Sequence, residues 1–108
     1  MQFEFIESVA FSAHLSDYLD DDEYALLQEH LCECPRAGVL VRGSGGVRKL
    51  RWARPGAGKS GGVRVCYYFR TEAGQILMLV IYAKSARATI AGHVLAQLRK
   101  ELNDGQDN

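Results

Sequence analysis

The chain has 108 residues, 47% of them apolar, with 13 basic side chains against 13 acidic ones. That length points to one domain with one real core, and no apolar run reaches membrane-spanning length. The zero net charge hides a sorting by position. Residues 1–35 carry nine acids and no Lys or Arg, while residues 36–71 carry nine bases (Arg36, Arg42, Arg48, Lys49, Arg51, Arg54, Lys59, Arg64, Arg70) and no acid. A basic stretch without internal counter-charge is what a polyanion-binding surface needs. The opening residues Met1-Gln2-Phe3-Glu4-Phe5 have neither the basic start nor the apolar run of a signal peptide, so a cytoplasmic protein is expected. The cysteine count is odd, and Cys32 and Cys34 are two apart in a helical pattern, pointing away from each other. A disulfide framework is not expected. His30 and Cys34 are four apart, which is half of a metal site without a second ligand pair.

Residues 2–7 alternate Phe3 and Phe5 with Gln2 and Glu4 and read as a strand. Ser8 suits the N-cap of a helix over 9–18 with Phe11, Leu15, Tyr18 and Leu19 on one face. Asp20 and Glu23 have capping-box spacing for a second helix, whose apolar face is Tyr24, Leu27, Leu31 and Cys34 and whose end Pro35 marks. The period then changes to two. Residues 47–52 read as a strand with Leu50 and Trp52 toward the core and Lys49 and Arg51 the other way. After a Gly-rich loop, residues 63–71 place Val63, Val65, Tyr67 and Phe69 on one face and Arg64, Cys66, Tyr68 and Arg70 on the other. Gly74 supplies the positive φ of a turn. Residues 76–83 are almost continuously apolar, as in a strand covered on both faces. Ser85 suits the cap of a last helix over 86–102, lined by Ile90, Val94, Leu98 and Leu102, with 103–108 as a frayed tail. The order β-α-α-β-β-β-α gives an α+β fold: a small, mostly antiparallel sheet with a helical pair on one side.

Residues 53–60 (ARPGAGKS) loosely match a nucleotide phosphate loop. That loop must open a helix, whose N-terminus holds the phosphate. Here a β-patterned run comes after Gly61 and Gly62, so the match is rejected.

The element order, the run Gly45-Gly46-Val47-Arg48-Lys49-Leu50-Arg51, the run Gly61-Gly62-Val63-Arg64-Val65-Cys66-Tyr67-Tyr68-Phe69, the strand end Ile81-Tyr82-Ala83-Lys84 and the helix entry Asp22-Glu23-Tyr24 together resemble the RelE/HigB superfamily of type II toxin–antitoxin toxins. The likeness covers residues 1–102. It implies a microbial-ribonuclease-like fold and a ribosome-dependent mRNA endoribonuclease, or mRNA interferase, acting on mRNA in the ribosomal A site. It also implies a cognate antitoxin, expected to be a helix-turn-helix protein encoded next to it. By position, Arg64 matches the family's phosphate-contacting strand arginine. Lys49 and Arg51 match basic residues of the preceding strand, and Lys84 matches the basic position at the end of the last strand. Two departures stand out. Ser85 and Ala91 fall about where many members carry an Arg and a proton-transferring Tyr or His. His93, between Ile90 and Val94, reads as a core residue, leaving Lys84 for proton transfer. The helical pair is acidic where many members are basic.

The chemistry asked of these residues is simple. RNA carries its own nucleophile, the 2′-hydroxyl. A guanidinium meets two phosphate oxygens at once, and a lysine among other cations loses its proton more readily. Lys49, Arg51, Arg64 and Lys84 are thus the candidate catalytic set, without metal or other cofactor. Arg48, Arg54, Lys59, Tyr68 and Arg70 are candidate RNA contacts, Tyr68 by stacking on a base. The competing reading is a non-catalytic RNA- or ribosome-binding module built on the same basic strands.

Overall fold

The computed structural model describes residues 3–53, 62–83 and 90–106, the last three of them by backbone alone. Five strands form one sheet: β1 (Glu4–Glu7), β2 (Val39–Leu40), β3 (Arg48–Trp52), β4 (Val63–Arg70) and β5 (Gln75–Ala83). Their spatial order is β1-β5-β4-β3-β2. β1 runs parallel to β5, and the other pairs are antiparallel. The short edge strand β2 is absent from the sequence reading. It is two residues long and both are exposed, so it carries no alternation to detect.

Helices cover both faces. α1 (Val9–Tyr18) and α2 (Asp21–Glu33) pack Phe11, Leu19, Leu27 and Leu31 against Leu50, Val63, Val65, Tyr67, Ile76 and Met78. On the other face α3 (Gly92–Gln106) packs Leu95, with Leu98 and Leu102 at its margin, against Val47, Cys66, Leu77, Leu79 and Tyr82. The α+β expectation holds, as three layers with the sheet in the middle. Both faces of β5 are covered, as its apolar run demands.

The start signals act as read. The Asp20 carboxylate accepts from Glu23 N (2.8 Å) and the Glu23 carboxylate accepts from Asp20 N (2.8 Å), which completes the capping box. Such a cap contributes on the order of 1 kcal/mol. Ser8 Oγ accepts from Phe11 N at 2.9 Å, as expected of an N-cap, and also donates to Leu79 O at 2.6 Å. That second bond holds a bulge. β4 and β5 pair Cys66 with Val80 but Tyr67 with Met78, so Leu79 is an extra residue in β5. A one-residue shift moves every later side chain to the opposite face. Tyr82 therefore shares a face with Arg64, its cross-strand partner. Without the bulge it would face the helical pair.

Three expectations change. Cys34 is the exposed C-cap of α2, not part of its apolar face. The last helix begins at Gly92 and continues to Gln106, whereas Ser85, its expected cap, lies outside the described residues. The face it turns to the sheet is Leu95, Leu98 and Leu102. Leu95 is the fully buried residue, while Val94 is 41% exposed. His93, expected in the core, is exposed in the first turn.

Gly92 is fixed by its neighbours. A Cβ there would meet Arg42 O at 2.0 Å, so the start of α3 rests directly on the backbone of the loop between β2 and β3. Tyr67 ties the other side together: its hydroxyl donates to Pro35 O (2.7 Å) and accepts from Gly38 N (2.9 Å). Its burial pushes the phenol pKa up.

Candidate functional site

Alternation along β3 and β4 settles which cations share a face. Lys49 pairs with Cys66, Arg51 with Arg64, and Arg64 in turn with Tyr82. Directly opposed side chains on one face have Cβ atoms about 5 Å apart. Arg51, Arg64 and Tyr82 therefore form one row across the sheet, and Lys49, Cys66 and Val80 form the next. Arg51 is exposed, and Lys49 and Arg64 are half-buried.

Like charges placed directly opposite destabilise a sheet by a few tenths to about 1 kcal/mol. Nothing acidic among the described residues relieves Arg51 and Arg64, where the one contact of a basic side chain with an acid is His14 Nδ1 with Asp17 Oδ2, at 3.4 Å. A bound polyanion turns this repulsion into attraction. Below the cations lies Cys66, fully buried. Burial pushes its thiol up to about 11, against the opposing pull of the Lys49 charge. It is a neutral packing residue, not a thiolate nucleophile.

The same face is closed at its other end. Arg99 of α3 lays its guanidinium 4.9 Å from the centre of the Tyr68 ring. Arg70 donates from Nη1 to Asn103 Oδ1 at 3.3 Å, and it stands roughly 20 Å along β4 from Arg64. Tyr68 and Arg70 thus have the expected facing but lie against α3, and do not join the open cations.

Arg48 is on the opposite face. Its Nη1 donates to Gly38 O (2.8 Å) and Arg36 O (3.3 Å), and its guanidinium lies 5.9 Å from the Phe69 ring centre. Arg36 takes a second place on that ring, at 5.5 Å. These two cations pin the segment after α2 to the sheet. Trp52 also faces the helical pair, with its ring 5.4 Å from that of His30. Lys84, Arg54 and Lys59 lie outside the described residues, as does most of the loop resembling a phosphate-binding motif. That loop leads into the strand β4, beginning at Val63, and not into a helix.

The structure brings together Lys49, Arg51 and Arg64 and adds Tyr82, which the sequence reading left in an apolar run. The one clue was a polar-tipped side chain near the end of an otherwise aliphatic strand. Its facing could not be inferred, because the bulge at Leu79 reverses the phase before it.

No protein-family model matches the chain. Among solved structures it is similar to an arginine double mutant of the Escherichia coli toxin RelE in the free state. The identity is 15%, over 96% of this chain and 97% of that one, with a TM-score of 0.51. The fold is therefore RelE-like.

Proposed function

We propose that this chain is a toxin of the RelE/HigB type, a ribosome-dependent mRNA endoribonuclease held in check by a cognate antitoxin. The observation that carries this is the row of Arg51 and Arg64 with Lys49 beside it on one face of a RelE-like sheet, with no acid against it among the described residues. The solved neighbour is a toxin by its own description, and the sequence runs around Lys49 and Arg64 resemble those of the superfamily.

In this reading Arg64 and Arg51 straddle one phosphate of the RNA. The 2′-oxygen of the preceding ribose attacks phosphorus, the bond to the 5′-oxygen breaks, and a 2′,3′-cyclic phosphate and a 5′-hydroxyl result. Charge gathers on the non-bridging oxygens, where the guanidinium forks are placed to meet it. One proton leaves the 2′-hydroxyl and one reaches the 5′-oxygen. Lys84, assigned from the resemblance, is the proposed proton carrier, with Lys49 in support. In this reading positive charge from these side chains takes the place of a metal in the cleavage step. The antitoxin is proposed as a helix-turn-helix protein from the adjacent reading frame.

A second reading has one observation behind it. The two strand rows that hold Lys49, Arg51 and Arg64 contain no His, Asp or Glu. A non-catalytic RNA or ribosome binder needs none. Inducing the chain alone and mapping transcript ends by primer extension separates the two. New 5′-ends that vanish in Arg64→Ala support the nuclease, whereas arrested translation without new ends supports the binder. Unchanged growth and transcripts would remove both.

A further inference from the structure

β1 stops at Glu7, opposite Met78. Beyond that point β5 has no strand on its β1 side, and α1 runs there instead. Between them lies a cavity of about 310 Å³, lined among the described residues by Ala10, His14 and Tyr18 of α1, Val80, Ile81 and Tyr82 of β5, and Ile90. None of these is a lysine, arginine or carboxylate. Two tyrosines, a histidine and aliphatic residues make up this lining, and the volume is at the small end of the range for ligand pockets. Tyr82 is 6% exposed and is the cross-strand partner of Arg64. One lining residue of a cavity without Lys, Arg or carboxylate among its described residues is therefore the next residue in the row of the phosphate cluster.

We propose that this cavity takes a nucleobase of the RNA strand whose phosphate lies on Arg64. The inference rests on the RNA-binding function proposed for the cation row and adds a base site to it. The division of labour is chemical: cations meet the backbone, while a neutral planar base needs ring faces and a few polar atoms. His14, whose Nδ1 lies 3.4 Å from Asp17 Oδ2, adds a polar imidazole to that lining. The bulge at Leu79 is what turns Tyr82 to the Arg64 face, and it thereby joins the two sites.

The test is binding of the full chain to a short 2′-O-methyl RNA, which keeps bases and phosphates but cannot be cut, and to the same strand with abasic sugars. The wild type is expected to bind the base-bearing strand about tenfold more tightly, the loss typical of one stacked base. Ala10→Trp fills the cavity from an exposed helix position, and His14→Ala removes a polar wall; thermal unfolding confirms that each variant folds. Both variants should lose the preference for bases while keeping the wild-type salt dependence. A wild-type preference that survives in both overturns the base site. Salt-dependent binding with no preference in any of the proteins overturns it equally, and leaves the cavity to an aromatic side chain of a protein partner. A wild type that binds neither RNA, or binds without salt dependence, removes the phosphate reading and the base site with it.

Discussion

Arg64 and Arg70 stand on the same strand and the same face, yet they have opposite surroundings. Arg64 shares its row with the exposed Arg51 and the buried Tyr82, without an acidic partner among the described residues. Arg70 lies under the C-terminal half of α3, bonded to Asn103. Alternation assigns a face, but only the placement of a helix decides which part of that face meets solvent. The end under α3 holds the sheet and that helix together, and the end with Arg51 and Arg64 carries positive charge that no acid among the described residues relieves.

The largest effect should come from removing the open cation. In transcript mapping, Arg64→Ala is expected to lower cleavage by about a hundredfold, the scale of losing one group that stabilises transition-state charge. Arg70→Ala should cut like the wild type. Next comes the anchor of the covered end. The Cβ added by Gly92→Ala would meet backbone at 2.0 Å, and backbone at both sides leaves little room to yield. Urea denaturation should show a loss of about 2 kcal/mol or more, despite alanine's better helix propensity. Unchanged stability would mean that α3 does not rest on the Arg42 loop.

A smaller, pH-dependent effect sharpens the same boundary at Cys66. Its thiol has an ordinary value of 9.0 and is pushed up to about 11 in the fold, first by burial. The folded state therefore holds the proton more tightly than the unfolded chain. The associated stability is full below pH 9 and is lost as pH rises toward 11. The difference is worth on the order of 2 kcal/mol. Denaturation of Cys66→Ala and wild type at pH 8 and pH 11 should show a steeper alkaline loss in the wild type. Parallel losses would place Cys66 in contact with water.

Much of this was legible in the sequence, for local reasons. Ser8, Asp20 and Glu23 act within one helical turn, and the facing of Lys49, Arg51 and Arg64 comes from period two alone. What was hidden depends on contacts between distant segments. Leu79 joins a featureless apolar run, and only the bond from Ser8 to its carbonyl marks the bulge that redirects Tyr82. Val94 and Leu95 are equally apolar, so the pattern alone does not say which of them faces the sheet. The contact of Gly92 with the Arg42 backbone helps fix how α3 sits, with Leu95 inward and His93 exposed. Arg48 looked like its basic neighbours because composition does not record that Gly38 and Arg36 offer it carbonyls.

Under the proposed function, RNA phosphate meets the end of the sheet that carries Arg51 and Arg64 and not the end that lies under α3. The most direct measurement is the salt dependence of RNA binding by the wild type, Arg64→Ala and Arg70→Ala. Removing one phosphate contact lowers the slope of log affinity against log salt by roughly one. A slope reduced by about one in Arg64→Ala and unchanged in Arg70→Ala is the predicted result. Equal slopes in the wild type and Arg64→Ala, or a reduction confined to Arg70→Ala, would contradict it.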